Sequence, residues 1–197
     1  MFKQSKLFGM VVAMLMAVFF GYAYADDVTD AINEALQQYN GGNYSEAMSS
    51  LNYASQLVGQ KKGGNLQSLL PEPLQGWTAE DKKSEAVQMY GGGVTAERRY
   101  RKDESSVSIR IITDSPMLQG MMMMLSNPMM ATSDGGKMVK IGGEKAIVKY
   151  NASKKRGDIN IVVANRFLVT IEGSTVELED LKAYGAAIDY KKLSSLP

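Results

Sequence analysis

The sequence predicts an α+β protein: a mainly antiparallel sheet covered by helices, preceded by an α-helical hairpin. Three observations carry this. Residues 106–113 alternate strictly, with Val107, Ile109 and Ile111 on one face and Ser106, Ser108 and Arg110 on the other. Gly142-Gly143 and Asn165 each separate two short apolar runs, as tight antiparallel turns do. Between residues 31 and 57, apolar side chains recur at three- and four-residue steps, which is the period of a helix.

The first residues read as an address. Lys3 and Lys6 precede an uncharged run from Leu7 to Phe20, and Ala23-Tyr24-Ala25 is followed by Asp26-Asp27. A basic start, a short apolar run and an A-x-A site match a secretory signal peptide cut at Ala25-Asp26. The alternative is an uncleaved anchor, although the apolar part alone is shorter than the ~20 residues of a spanning helix. The expected location is periplasmic or secreted. No further stretch is apolar enough to span a membrane in the mature chain.

The mature N-terminus then forms two helices. Ala31, Ile32, Ala35, Leu36 and Tyr39 share one face; Asn40-Gly41-Gly42-Asn43 stops the helix, with glycine free to close it left-handed. Tyr44, Ala47, Met48, Leu51, Ala54 and Leu57 make the second face, and Lys61-Lys62-Gly63-Gly64-Asn65 is expected to end it. The segment from Gly42 through Tyr44, Ala47, Leu51 and Ala54 resembles the second half of a tetratricopeptide (TPR) repeat, where small residues let helices approach and Leu fills the gap. An ordinary docked hairpin is the alternative. Used as a TPR-like element, the hairpin would contact a partner through residues such as Tyr44 and Glu46.

Leu69 to Trp77 contains Pro71, Pro73 and Gly76, so an extended linker is expected, pinned by Leu70, Leu74 and Trp77. Strands are expected over 85–90, 94–101, 106–113, 137–141, 144–150, 158–164 and 166–172. Pro116 suits the first turn of a helix over 115–127. A final helix runs from Ser174 to about Tyr190, with Ser174 and Glu177 as a capping box and Leu178, Leu181, Tyr184 and Ile188 as its buried stripe. This order, led by Leu70-Pro71 and Gly76-Trp77, resembles the PsbP-like fold of thylakoid photosystem subunits and bacterial secreted proteins. The resemblance implies a binding or assembly accessory. The domains are thus 1–25 signal peptide, 26–62 TPR-like hairpin, 63–77 linker and 78–197 α+β domain.

Composition narrows the chemistry. The chain has no Cys and no His, so thiol nucleophiles, thiolate metal sites and imidazole acid–base catalysis are out of reach. Carboxylates, Ser, Thr, Lys and Tyr remain, which keeps a hydrolase without His as an open, lower alternative. No carboxylate pair has a sequence spacing that forces a catalytic geometry. Removing Lys3 and Lys6 leaves 20 of the 22 basic side chains against 21 acidic ones, net −1, which is no nucleic-acid footprint. Gly91-Gly92-Gly93 lacks the phosphate-loop pattern and reads as a turn.

Two clusters remain. Met117, Met121, Met122, Met123, Met124, Met129 and Met130 crowd one helix and its end. Met117, Met121 and Met124 would share a face, and thioethers favour Cu(I); Met also simply fills irregular gaps against a sheet. Arg98, Arg99, Arg101 and Lys102 form a basic run, with Arg99 and Arg101 on one face and Arg98 opposite. They either touch a partner or protect a strand edge. The expected function is an exported, soluble, non-enzymatic binding or assembly protein with no cofactor, its partner another exported or envelope protein. The alternative is a carrier of a small apolar ligand or Cu(I) on the Met-rich helix.

Overall fold

The computed structural model describes residues 26–86, 93–127, 129, 132 and 135–196. The expected signal peptide and cleavage residue Ala25, the end of the first expected strand, Gly91-Gly92 and Met130 lie outside the described residues. The chain divides into two compact units, up to Ala54 and from Ser55 onward.

In the first unit, helix α1 (Asp27–Asn40) begins at Asp26, whose carboxylate accepts from the Val28 amide at 3.3 Å. That side chain satisfies one of the orphan amides of the first turn. Gly42, at φ 79°, takes the left-handed conformation expected of it and turns the chain into α2 (Tyr44–Gln67). The Asn43 side chain donates to Gln38 Oε1 at 2.9 Å across this turn.

Helix α2 does not end at Gly63-Gly64; it continues to Gln67. Packing is the reason. Leu66 is fully buried, and a Cβ at Gly63 would lie 2.8 Å from Ser84 Oγ. Gly63 is therefore a close-approach residue inside the helix, and the burial of Leu66 outweighs the helix cost of two glycines, ~1 kcal/mol each.

The second unit holds one eight-stranded sheet. Its strands are β1 (Thr78–Ala79), β2 (Lys83–Ala86), β3 (Val94–Lys102), β4 (Ser105–Thr113), β5 (Lys137–Ile141), β6 (Glu144–Asn151), β7 (Arg156–Val163) and β8 (Phe167–Ser174). The order is β1-β3-β4-β8-β7-β6-β5, with β2 also paired to β3, and every pairing is antiparallel. Gly142 and Gly143, at φ 59° and 92°, make the β5–β6 turn. Three further helices among the described residues are α3 (Pro116–Ser126), α4 (Leu178–Ala186) and α5 (Tyr190–Ser194).

One sheet face makes the core. Ala96, Tyr100, Val107, Ile109, Ile111, Val148, Ile159, Ile161, Val169 and Ile171 bury with Leu181 and Tyr184 of α4, Leu193 of α5, and Leu66, Leu70 and Trp77. Leu74 packs against this cluster, so all three expected anchors of the 69–77 segment join the core. Trp77 meets the Tyr184 ring edge-on at 5.4 Å, and Tyr100 lies 4.4 Å from Tyr184.

The last helical region differs from expectation. Ser174 is the final residue of β8, paired with Ser106 and Arg156, so sheet pairing takes the residue expected to cap. Thr175 at φ 55° then turns the chain, and Glu177 is the N-cap of α4 without a side-chain capping bond. The expected single helix is two, with Asp189 capping α5 through the Lys192 amide at 2.9 Å. Helix α3, close to its expected span, lies against β6, β7 and β8 on the face opposite α4. That end of the sheet is apolar on both faces, with Ile147 and Leu168 fully buried. Among the described residues, no helix is long and apolar enough to cross a membrane.

Candidate functional site

The hairpin buries small residues and exposes large ones. Ala31, Ala35, Ala47 and Ala54 are buried, whereas Ile32, Leu36, Tyr39, Tyr44, Met48 and Tyr53 are exposed. Leu51, expected to fill the gap between the small residues, is 54% exposed. Two helices offer each other one narrow seam, and Ala is what fits it; apolar residues beside the seam need another layer to cover them. Tyr44, at 64%, is held edge-on against Tyr39 at 5.7 Å, and Glu46 beside it is exposed. Residues 26–54 carry Asp26, Asp27, Asp30, Glu34 and Glu46 and no Lys or Arg. The hairpin thus exposes large apolar side chains, and its side-chain charge is wholly negative.

The basic run on β3 divides by strand alternation. Arg98 points to the covered side with its side chain 13% exposed. It donates to the Pro71 carbonyl at 2.9 Å and the Glu80 carbonyl at 3.2 Å, and pairs with Glu72 at 3.0 Å. Tyr100 Oη donates to the same Pro71 carbonyl at 2.7 Å. These bonds fasten residues 71–80, and the hydrogen bonds from Arg98 and then Lys82 hold the Glu72 carboxyl below its ordinary range. Arg99 and Arg101 stand on the opposite, open face, as the alternation predicts.

That open face forms a concavity of about 1000 Å³, lined from β3, β4, β8, β7 and β6. Antiparallel register arranges its side chains in rows across the strands. One row reads Lys149, Asp158, Glu172, Ser108, Arg99. Two residues along, the next reads Asn151, Arg156, Ser174, Ser106, Arg101. On the other side lie Asn160, Thr170, Arg110 and Glu97, leading to Ile112, Leu168 and Met121 at the apolar end.

The charges are unevenly matched. Glu97 accepts both Arg110 Nε and Nη2, at 3.1 and 2.9 Å, and Arg99 at 3.0 Å. Burial pushes Glu97 up, but the bonds from Arg110 and Arg99 outweigh it and hold the carboxyl lowered. Arg101 pairs with Glu80 at 3.0 Å. Asp158 accepts from Asn160 Nδ2 at 2.6 Å, and Asn160 Oδ1 accepts from Thr170 at 2.9 Å. Burial raises the Asp158 pKa; Lys149 opposes the rise and Glu172, directly across the ladder, adds to it.

The Met-rich helix contributes at the margin. Met121 and Met124 are half-buried, and the side chain of Met117 lies outside the described residues. Met121 lines the concavity, while Met122 and Leu125 border a smaller hollow beside Lys145 and Val162. Of the sequence candidates, Arg99 and Arg101 come together on the sheet, and Tyr44 and Glu46 share the hairpin. Asp158 and Glu172 were missed as site residues; Arg110 is placed only on a polar strand face, and Lys154-Lys155-Arg156 reads as a basic turn rather than as part of this face. Alternation opposite Ile159 and Ile171 places three of them on a polar face, but only register makes them neighbours. No protein family, curated protein or solved structure matches the chain.

Proposed function

We propose that this chain is an exported, non-enzymatic binding module whose helical hairpin receives a partner protein. The observation that carries it is the exposure of seven large apolar side chains, Ile32, Leu36, Tyr39, Tyr44, Met48, Leu51 and Tyr53, on a two-helix element. So many large apolar side chains exposed on one short element mark a contact site in a protein of otherwise ordinary charge. Charge selects the partner's chemistry. With five acids and no Lys or Arg over residues 26–54, the face favours a segment whose apolar side chains are flanked by Lys or Arg. The same charge disfavours an anionic membrane surface. Export rests on Lys3, Lys6, the apolar run and Ala23-Tyr24-Ala25.

Photo-crosslinking from position 44 of the full chain, in cells, tests this. The expected product joins Tyr44's position to an envelope protein at an apolar segment with basic flanks. Leu36→Ser with Leu51→Ser should cut its yield at least about tenfold, as lost apolar contacts at an interface centre do. A crosslink to lipid, to residues 1–25 of the same chain or to a second copy sinks the proposal. So does an unchanged yield in the double variant.

A further inference from the structure

The chain has no Cys, so its most readily oxidised side chains are methionine thioethers. Half of them, seven of fourteen, fall between residues 117 and 130, on helix α3 and just beyond it. The helix carries no charged side chain. Leu118, Met121, Met122 and Leu125 recur at three- and four-residue steps, which puts them on one face. Leu118 is buried and the other three are half-buried, so this is the face laid on the sheet. Met123 falls outside the stripe at 63% exposed, and Met129, beyond the helix, is 81% exposed. The cluster thus offers an outer pair of thioethers, Met123 and Met129, and an inner pair, Met121 and Met122.

The ground beneath the inner pair is apolar. Ile112, Leu168 and Val162 form one row across β4, β8 and β7, and Ile147 is buried beside it on β6. Met121 borders the open concavity together with Ile112 and Leu168. Met122 borders the smaller hollow, of about 450 Å³, together with Val162. Each inner thioether therefore helps hold the helix on the sheet and is reached by solvent from its own side. Oxidation turns a flexible apolar thioether into a polar, chiral sulfoxide. Seated against Ile112, Val162 and Leu168, the new oxygen bears the desolvation cost of a polar group buried without a partner.

We infer that α3 is an oxidant-released cover, with Met121 and Met122 as its modification site and a peroxide as its reactant. The outer pair reacts first and leaves the helix docked. Oxidation of the inner pair then releases α3 and bares the apolar sheet end at Ile147, Val162 and Leu168. In each step a sulfur lone pair attacks one peroxide oxygen, forming the S–O bond as the O–O bond breaks. The departing hydroxide takes the proton of the transferred oxygen, leaving sulfoxide and water; sulfur loses two electrons and the peroxide gains them. Sulfoxide reductases reverse the change, two thiols supplying the electrons and ending as a disulfide with one water released. The cover works without the hairpin and does not depend on what the hairpin binds.

Treating the full chain with hydrogen peroxide, and following sulfoxide at each methionine by fragmentation mass spectrometry and amide exchange over residues 118–125, tests this. Met123 and Met129 should oxidise at least about threefold faster than Met121 and Met122, in line with exposure. Exchange over 118–125 should rise at least about tenfold once the inner pair is oxidised, and not before. Sulfoxide reductases should restore the protection. Met121→Leu with Met122→Leu keeps side-chain volume and helix preference, and should hold exchange constant through the same peroxide course. Met123→Leu with Met129→Leu should leave the rise intact. These crossed outcomes separate release of α3 from general oxidative damage, which would raise exchange in both variants alike. Equal oxidation of the outer and inner pairs overturns the inference. So does unchanged exchange after full oxidation of Met121 and Met122, or a rise that persists when both are leucine.

Discussion

Replacing Arg98 by methionine isolates what fastens residues 71–80 to the sheet. The substitution keeps most of the apolar stem and removes the guanidinium. Two carbonyl acceptors lose their donor, Pro71 at 2.9 Å and Glu80 at 3.2 Å. Pro71 retains Tyr100 Oη at 2.7 Å, so its loss is partial. A hydrogen bond from a charged donor contributes ~1.5–3 kcal/mol, which gives a combined loss of about 2–3 kcal/mol for the pair. For a chain of this size that lowers the unfolding midpoint by roughly 5–10 °C. Glu72 is exposed on the other end of the ion pair, so Glu72→Gln should leave the midpoint nearly unchanged. Urea unfolding followed by circular dichroism and by Trp77 fluorescence is the assay. Trp77 is the only tryptophan and packs on Tyr184, so it reports whether this segment is docked. A loss under about 1 kcal/mol, or a Glu72→Gln effect as large as Arg98→Met, refutes the assignment of the clamp to the carbonyl bonds.

Three further outcomes are expected. Gly63→Ala should destabilise by roughly 1–3 kcal/mol because its Cβ meets Ser84, while Gly64→Ala, facing open space one residue on, should stabilise by ~1 kcal/mol; chemical denaturation of the two variants checks the contrast. Asp158 has its folded pKa raised above 3.8, chiefly by burial, so the stability it contributes is present below 3.8 and lost as pH rises through the raised value. Asp158→Asn should therefore exceed the parent in stability at pH 7, with the gap closing toward pH 3.8 as Lys149, Glu172 and Arg156 remain in place. Glu97 has the opposite sign: although burial pushes it up, its arginine bonds keep it below 4.5, so its stability is present above 4.5 and lost as pH falls. Glu97→Gln should be less stable than the parent at pH 7 and approach it in acid, by thermal melts across the pH range.

The elements that local chemistry dictates were legible. Alternation in 106–113 placed Val107, Ile109 and Ile111 in the core, and Gly142-Gly143 marked its hairpin, because both signals lie within a few residues. The errors fall where a long-range contact overrides a local preference. Gly63-Gly64 reads as a helix stop until β2 is seen against Gly63. Ser174 and Glu177 read as a capping box until Ser174 is seen paired with Ser106 and Arg156. Leu51 reads as buried because a repeat array would bury it; two helices alone do not.

The charged sheet face was illegible for a deeper reason. Its residues come from five strands spread over residues 97 to 174, and no sequence spacing encodes that Asp158 faces Glu172. Each strand carries an ordinary polar face, and only the register aligns carboxylate with carboxylate and arginine with serine. Alternation of Glu97 with Arg99 on β3, and of Asp158 with Arg156 on β7, shows that opposite charges are available on the same strands. The ladder sets Asp158 between Lys149 and Glu172, with Arg156 one row away. Register alone therefore decides which charges meet on this face, and that information is spread over strands far apart in the chain.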